Sequence, residues 1–207
     1  MKHYALLSTL LFIMGCSSGN QQKSYQCVTR LENYFSIDSL HNCTVAAAFG
    51  SDNFNWQEKC LDMTVYSEYL YDSAAIDCLQ VGDTLLFDGK SIPVDSLAKR
   101  NGFVAINGGI ECGGVDLTAH EGGTYRATTF NGHSVYQEMG KAHLKLADDF
   151  VIIDCGELPS DPCDTIHENQ DTYLRKLPEH RRDFYQLNTR VRIENGQIKE
   201  INRRWIP

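Results

Sequence analysis

Apolar and polar positions alternate along this chain in short runs, each closed by glycine, asparagine or aspartate. Residues 44–49 form an apolar run stopped by Gly50-Ser51-Asp52-Asn53, and residues 61–71 are rich in valine and tyrosine. Such runs, bounded by turn formers, read as strands. Asp88-Gly89 between the apolar stretches of residues 85–94 is a strong hairpin cue. Residues 103–106 precede the turn Asn107-Gly108-Gly109, and residues 124–130 are β-branched and aromatic before Asn131-Gly132. Phe150-Val151-Ile152-Ile153 reads as a buried strand. Residues 190–193 alternate, turn at Glu194-Asn195-Gly196-Gln197 and return through Ile198 and Ile201. Helical signals are few. Residues 28–35 fit a helix or a strand equally, and residues 171–182 hold helix formers that Pro178 breaks or turns into a second start. The pattern predicts a mainly β protein, an antiparallel sandwich or barrel of short strands with one or two short helices.

The N-terminus follows a different rule. Residues 4–14 are an apolar run of eleven after Lys2 and His3, short of the ~20 residues that a membrane-spanning helix needs. The run reads as the apolar region of a secretory signal. It ends in Ile13-Met14-Gly15-Cys16, which resembles the bacterial lipobox. That resemblance implies cleavage before Cys16, acylation of its thiol (palmitate among the chains) and of the new amino terminus, and a mature lipoprotein held on a membrane. Two or more acyl chains hold firmly where one binds reversibly. Residues 17–24 contain no apolar side chain and form a flexible tether. Ser17 in place of aspartate implies, by the same resemblance, the outer membrane. The lack of an acidic cluster after Cys16 points to the periplasmic face, with the cell surface as the other option. The expected organisation is a signal peptide over 1–15, a tether over 16–26 and a single β-rich domain over 27–207.

Composition narrows the class. Beyond the signal roughly 190 residues remain, enough for a proper core. The net charge of −8 opposes nucleic acid as a partner. Charge is uneven, however: residues 170–207 carry nine Lys or Arg against five acids. Within that stretch Arg181, Arg182, Arg190 and Arg192 are candidate contacts for an acidic protein or anionic glycan. The body holds seven cysteines besides Cys16, an odd number that allows at most three bridges. Cys155 and Cys163 flank a turn-rich loop and make the best single pair. Cys27 with Cys43 and Cys60 with Cys78 follow from nearness along the chain alone. No CxxC is present, so neither a zinc knuckle nor a thioredoxin-like motif is supported.

Chemistry-bearing motifs are scarce. The stretch 107–114 is glycine-rich but lacks both GxGxxG spacing and a GK[ST] ending, so tight turns explain it. His120, His133 and His143 are too widely spaced for a metal-ligand motif, and no GxSxG elbow exists. No catalytic residue, metal ligand or cofactor is assigned. Five Asp-Ser/Thr-aliphatic triplets, with hydroxyls at Ser39, Ser73, Thr84, Ser96 and Thr165, resemble the O-glycosylation sites of periplasmic proteins in one group of gut bacteria. The same dipeptides cap helices and turns. The expected function is a non-enzymatic, lipid-anchored module that binds a protein or glycan in the envelope, an inhibitor or immunity protein being one form. The alternatives are a metal-dependent or hydrolytic periplasmic enzyme using those histidines, and a structural component of envelope assembly.

Overall fold

A computed structural model of the protein describes residues 24–33, 35–156, 158 and 160–206. The signal segment 1–15, Cys16 and the tether as far as residue 23 lie outside the described residues. The chain is mainly β, and five strands close into a barrel. Cys43–Gly50 pairs antiparallel with both Cys60–Glu68 and Thr189–Glu194. Cys60–Glu68 then pairs antiparallel with the first half of Tyr136–Asp154. The second half of that strand runs parallel to Gln197–Arg203, which returns antiparallel to Thr189–Glu194. In chain order the five strands are therefore joined first to second, second to third, third to fifth, fifth to fourth and fourth to first. A short helix, Gln170–Lys176, lies between the third and fourth. This Greek-key closure is the arrangement of the OB barrel.

Strict alternation builds the barrel interior. Val45, Ala47 and Phe49 of the first strand, Leu61, Met63 and Val65 of the second, and Val191 and Ile193 of the fourth all face one core. Ile198 and Ile201 of the fifth strand join them, three residues apart because a register shift against the fourth strand interrupts the alternation there. Leu174 from the helix and Leu177 at its end pack into the same cluster. The helix stops there because Pro178 cannot continue it, and a single 3₁₀ turn, Glu179–Arg181, follows. The third strand runs 19 residues and must coil around the barrel to reach both partners. Register shifts between Glu138 and Gly140, with Gly140 at φ 136°, and between Leu146 and Val151, where the strand changes partner, accompany the bend.

Residues 69–135 leave the barrel between its second and third strands and return at the same place. Glu68 and Tyr136 are direct cross-strand partners, and Tyr69 N–H donates to the Val135 carbonyl at 3.3 Å. The excursion has a hydrophobic cluster of its own, centred on Tyr71, Ile76, Leu85, Ile106 and Leu117. Its main sheet orders Leu70–Asp72, Thr124–Thr128, Val115–His120, Phe103–Ile106 and Leu97–Arg100, each antiparallel to the next. A smaller sheet sets Thr84–Phe87 between Lys90–Pro93 and the N-terminal pair Cys27–Val28. Asp88 and Gly89 turn that hairpin with φ of 51° and 69°, the left-handed pair that Asp-Gly favours. The buried carboxylate of Asp83 fastens the N-terminal segment to the lobe, accepting from the N–H groups of Gln26 (2.9 Å) and Gln80 (2.8 Å). Burial pushes the Asp83 carboxyl up, but these hydrogen bonds outweigh it and hold its pKa below the ordinary value.

The glycine-rich stretch 107–114 closes as a tight turn around the 3₁₀ segment Ile110–Cys112. Gly114 is dictated by space, since a Cβ there would sit 1.9 Å from the Ile106 carbonyl oxygen. Cys155 and Cys163 are bonded as a disulfide. The other anticipated bridges are not formed: Cys27, Cys43, Cys60 and Cys78 are free thiols. Nearness along the chain misleads because the chain changes lobe between the partners. Cys43 and Cys60 stand in barrel strands, whereas Cys27 pairs into the small sheet of the excursion and Cys78 caps its helix Ser73–Asp77. Among the described residues no helix is long and apolar enough to cross a membrane.

Candidate functional site

A groove of about 650 Å³ lies on the outer face of the first three barrel strands. Alternation that sends Leu61, Met63 and Val65 inward sends Asp62 and Thr64 outward. Register then aligns Ala48, Thr64 and Lys141 in one row across the three strands, with Asp62 opposite His143 beside it. Asp62 Oδ1 and His143 Nδ1 are 2.8 Å apart, and both side chains stay largely exposed. Asn53, from the turn after the first strand, forms one wall. The other wall is the short strand Asp183–Phe184, which pairs with Phe49 and Gly50, followed by Tyr185. Phe184 is locked from below: it stacks on Phe49 at 4.7 Å, and the Arg203 guanidinium lies over its ring at 4.4 Å.

Chemically the groove offers a carboxylate–imidazole pair, a hydroxyl, an amide and two uncommitted charges of opposite sign. Lys141 and Asp183 have no side-chain hydrogen-bond or ion-pair partner among the described residues. Tyr185 leaves 51% of its surface open to solvent. Such a constellation suits recognition of a polar ligand by hydrogen bonds, with an aromatic face for contact.

The candidate basic strip is committed to the fold. Arg181 pairs with Asp154 at 2.7 Å, and Arg182 donates to the carbonyls of Leu177 and Arg175. Arg190 donates to the Gln186 carbonyl and the Tyr136 hydroxyl, and Arg192 pairs with Glu194 and Glu200. These four arginines bind neighbouring strands and turns together. Their positive excess offsets carboxylates within the same body.

The histidines are dispersed. His120 and His133 sit at opposite ends of the paired strands Val115–His120 and Thr124–Thr128, while His143 is in the barrel groove. Among the described residues no three His, Cys, Asp or Glu side chains group to hold a metal ion. Of the candidate glycosylation positions, Ser39, Ser96 and Thr165 are exposed, and Ser73 and Thr84 are half-buried. Asp72 and Asp83, which precede the latter two, have structural duties. Asp72 caps the helix Ser73–Asp77 by accepting from Ala74 N–H at 2.7 Å, and Asp83 is the buried clasp described above.

Asp62, Lys141, Asp183 and Tyr185 gave no signal as a site in the sequence. The outward face of Cys60–Glu68 is readable from its alternation, but its partner His143 lies 81 residues away along the chain. No protein-family model, curated protein or solved structure matches the chain.

Proposed function

We propose that this chain is a lipid-anchored binding module of the bacterial envelope, non-enzymatic, whose barrel groove takes a protein or glycan ligand. The observation that carries the reading is the groove itself, with Lys141 and Asp183 displayed on paired strands and Tyr185 directly after the second of them. Topology alone names no ligand. A site on a rigid scaffold whose charges are uncommitted within the fold is built for an external partner. An inhibitor or immunity protein is one form of this function, and a structural part of envelope assembly is a second.

The lipobox resemblance at Cys16 supplies the anchor, and Ser17 favours the outer membrane with the domain on its periplasmic side. The first described residues lead into Cys27–Val28 on the excursion. A lipid at Cys16 would thus hold that lobe within about 40 Å of the bilayer, at ~3.5 Å per residue. The groove lies on the barrel and not on the tethered lobe.

The test is quantitative capture from cross-linked cells with native protein, Cys16→Ser, Lys141→Glu and Tyr185→Ala. The expected result is a stoichiometric partner lost in both groove variants, while Cys16→Ser leaves the membrane fraction yet binds the same partner when purified. Capture indifferent to both groove substitutions would overturn the reading.

A further inference from the structure

The groove does not end at its own walls. Lys141, Ala142 and His143 also border a second depression of about 380 Å³, beside Ser39 and His41. Asp183 and Tyr185 also border a third of about 370 Å³, which reaches Asn188 and Trp205. The three share lining residues, Lys141 and His143 on one side and Asp183 and Tyr185 on the other, and so border one continuous trough. Resting on the binding-module reading above, we infer that the occupant of this trough is a glycan chain of several residues.

Three observations carry the choice. First, Thr64 at the centre of the floor is paired on both sides, with Ala48 and with Lys141. An extended peptide recognised by strand addition needs a free edge, and the centre of the floor provides none; the edge lies at its margin, where the first half of Tyr136–Asp154 pairs with Cys60–Glu68 alone. Second, the groups on offer mix donors and acceptors: the Asp62 and Asp183 carboxylates accept, Lys141 donates, and Asn53 and Thr64 do both. A sugar ring presents hydroxyls that need both kinds at short range. An apolar helix laid here would bury Lys141 and Asp183 without partners, at high cost. A polyphosphate would meet two carboxylates at the centre of a chain with net charge −8. Third, Tyr185 and Trp205 line the same end of the trough, and aromatic faces complement the C–H face of a pyranose ring.

Tryptophan fluorescence tests the inference on the full-length lipidated protein in detergent. The chain has two tryptophans; Trp56 is stacked on Phe54 beside the barrel core, so Trp205 is the reporter at the trough. The probes are chito-oligosaccharides and cello-oligosaccharides of two to six residues, and peptidoglycan glycan strands stripped of peptide. Affinity is expected to rise with chain length in at least one series. Tyr185→Ala is expected to weaken the longest ligand by about tenfold or more, with thermal stability unchanged because the side chain is half exposed. Trp205→Phe removes the signal but leaves binding measurable by calorimetry. Binding that is indifferent to length and to Tyr185→Ala overturns the glycan assignment. So does failure of every series while protein capture still depends on Lys141 and Tyr185, an outcome that leaves the binding-module reading standing. Loss of groove dependence in both assays overturns the two together.

Discussion

Asp154 and Arg203 are direct partners across the parallel seam where the third and fifth barrel strands meet, and both are almost wholly buried, at 2% and 5% exposure. Arg203 Nε donates to Asp154 Oδ1 at 3.1 Å, and its Nη2 donates to Oδ2. Tyr173 from the helix donates to the same carboxylate at 2.7 Å, and Arg181 adds a second ion pair. One carboxylate thus joins two strands, the helix and the following turn.

That pairing predicts acid sensitivity. Burial pushes the Asp154 carboxyl up, but hydrogen bonds from Arg203 and Tyr173 and the charges of Arg203 and Arg181 outweigh it, so its folded pKa lies below the ordinary value. A carboxylate with a depressed folded pKa stabilises fully above its unfolded value, about 4, and loses that contribution as pH falls through the folded value. Urea midpoints should therefore fall steadily below about pH 4, and Asp154→Asn should flatten that acid limb. At neutral pH, Arg203→Met should cost about 1–3 kcal/mol, because it removes two hydrogen bonds from a buried carboxylate that Arg181 and Tyr173 still hold. A loss below about 1 kcal/mol, the value of a solvated surface pair, would show that the cluster is not desolvated.

The second prediction concerns the excursion. Glu68 and Tyr136 are partners in the ladder, and the two hydrophobic clusters share no residue. Replacing residues 69–135 with Asn-Gly therefore restores a simple hairpin and should leave a barrel that melts cooperatively. Heat-capacity change per residue, measured by calorimetry, should match the intact protein at about 12–15 cal/mol/K. A gradual, non-cooperative melt would mean that the barrel core needs the lobe.

Cysteine chemistry gives the third. Cys27, Cys78 and Cys112 are exposed thiols, whereas Cys60 is buried and Cys43 half-buried. Burial pushes the Cys43 thiol up, and burial with the charges of Glu58 and Asp62 does the same for Cys60. Native-state alkylation followed by mass spectrometry should label the first three quickly and the two barrel thiols slowly. Replacing Cys155 and Cys163 by serine should lower stability by about 2–3 kcal/mol. Equal labelling rates at all five thiols would contradict the barrel's closure around Cys60.

Local signals were legible in the sequence, and non-local ones were not. Asp88-Gly89 and Asn195-Gly196 specify their turns from two residues each, and both hairpins lie where the pattern put them. Pro178 stops the helix by chemistry internal to the chain. The long strand Tyr136–Asp154 was visible only at its apolar end, around Phe150 and Ile152, because Gln137, Glu138, Lys141 and Lys145 dilute the first half. Its identity comes from partners far away in sequence. The groove was hidden for the same reason, since Asp62 and His143 meet only once the barrel has closed.

The strand Tyr136–Asp154 also fixes an order of events in the life of the chain. Its second half has no ladder on the closing side until Gln197–Arg203 arrives, well after the strand itself has been made. Synthesis proceeds from the N-terminus, so the excursion can complete its own sheets while the barrel is still an open, unpaired edge. Loop closure over such separations is slow. Until residues 197–203 emerge, that open edge is a target for proteases and edge pairing. A chain stopped anywhere before residue 197 would therefore leave the barrel open, even though most of its strands had already been made.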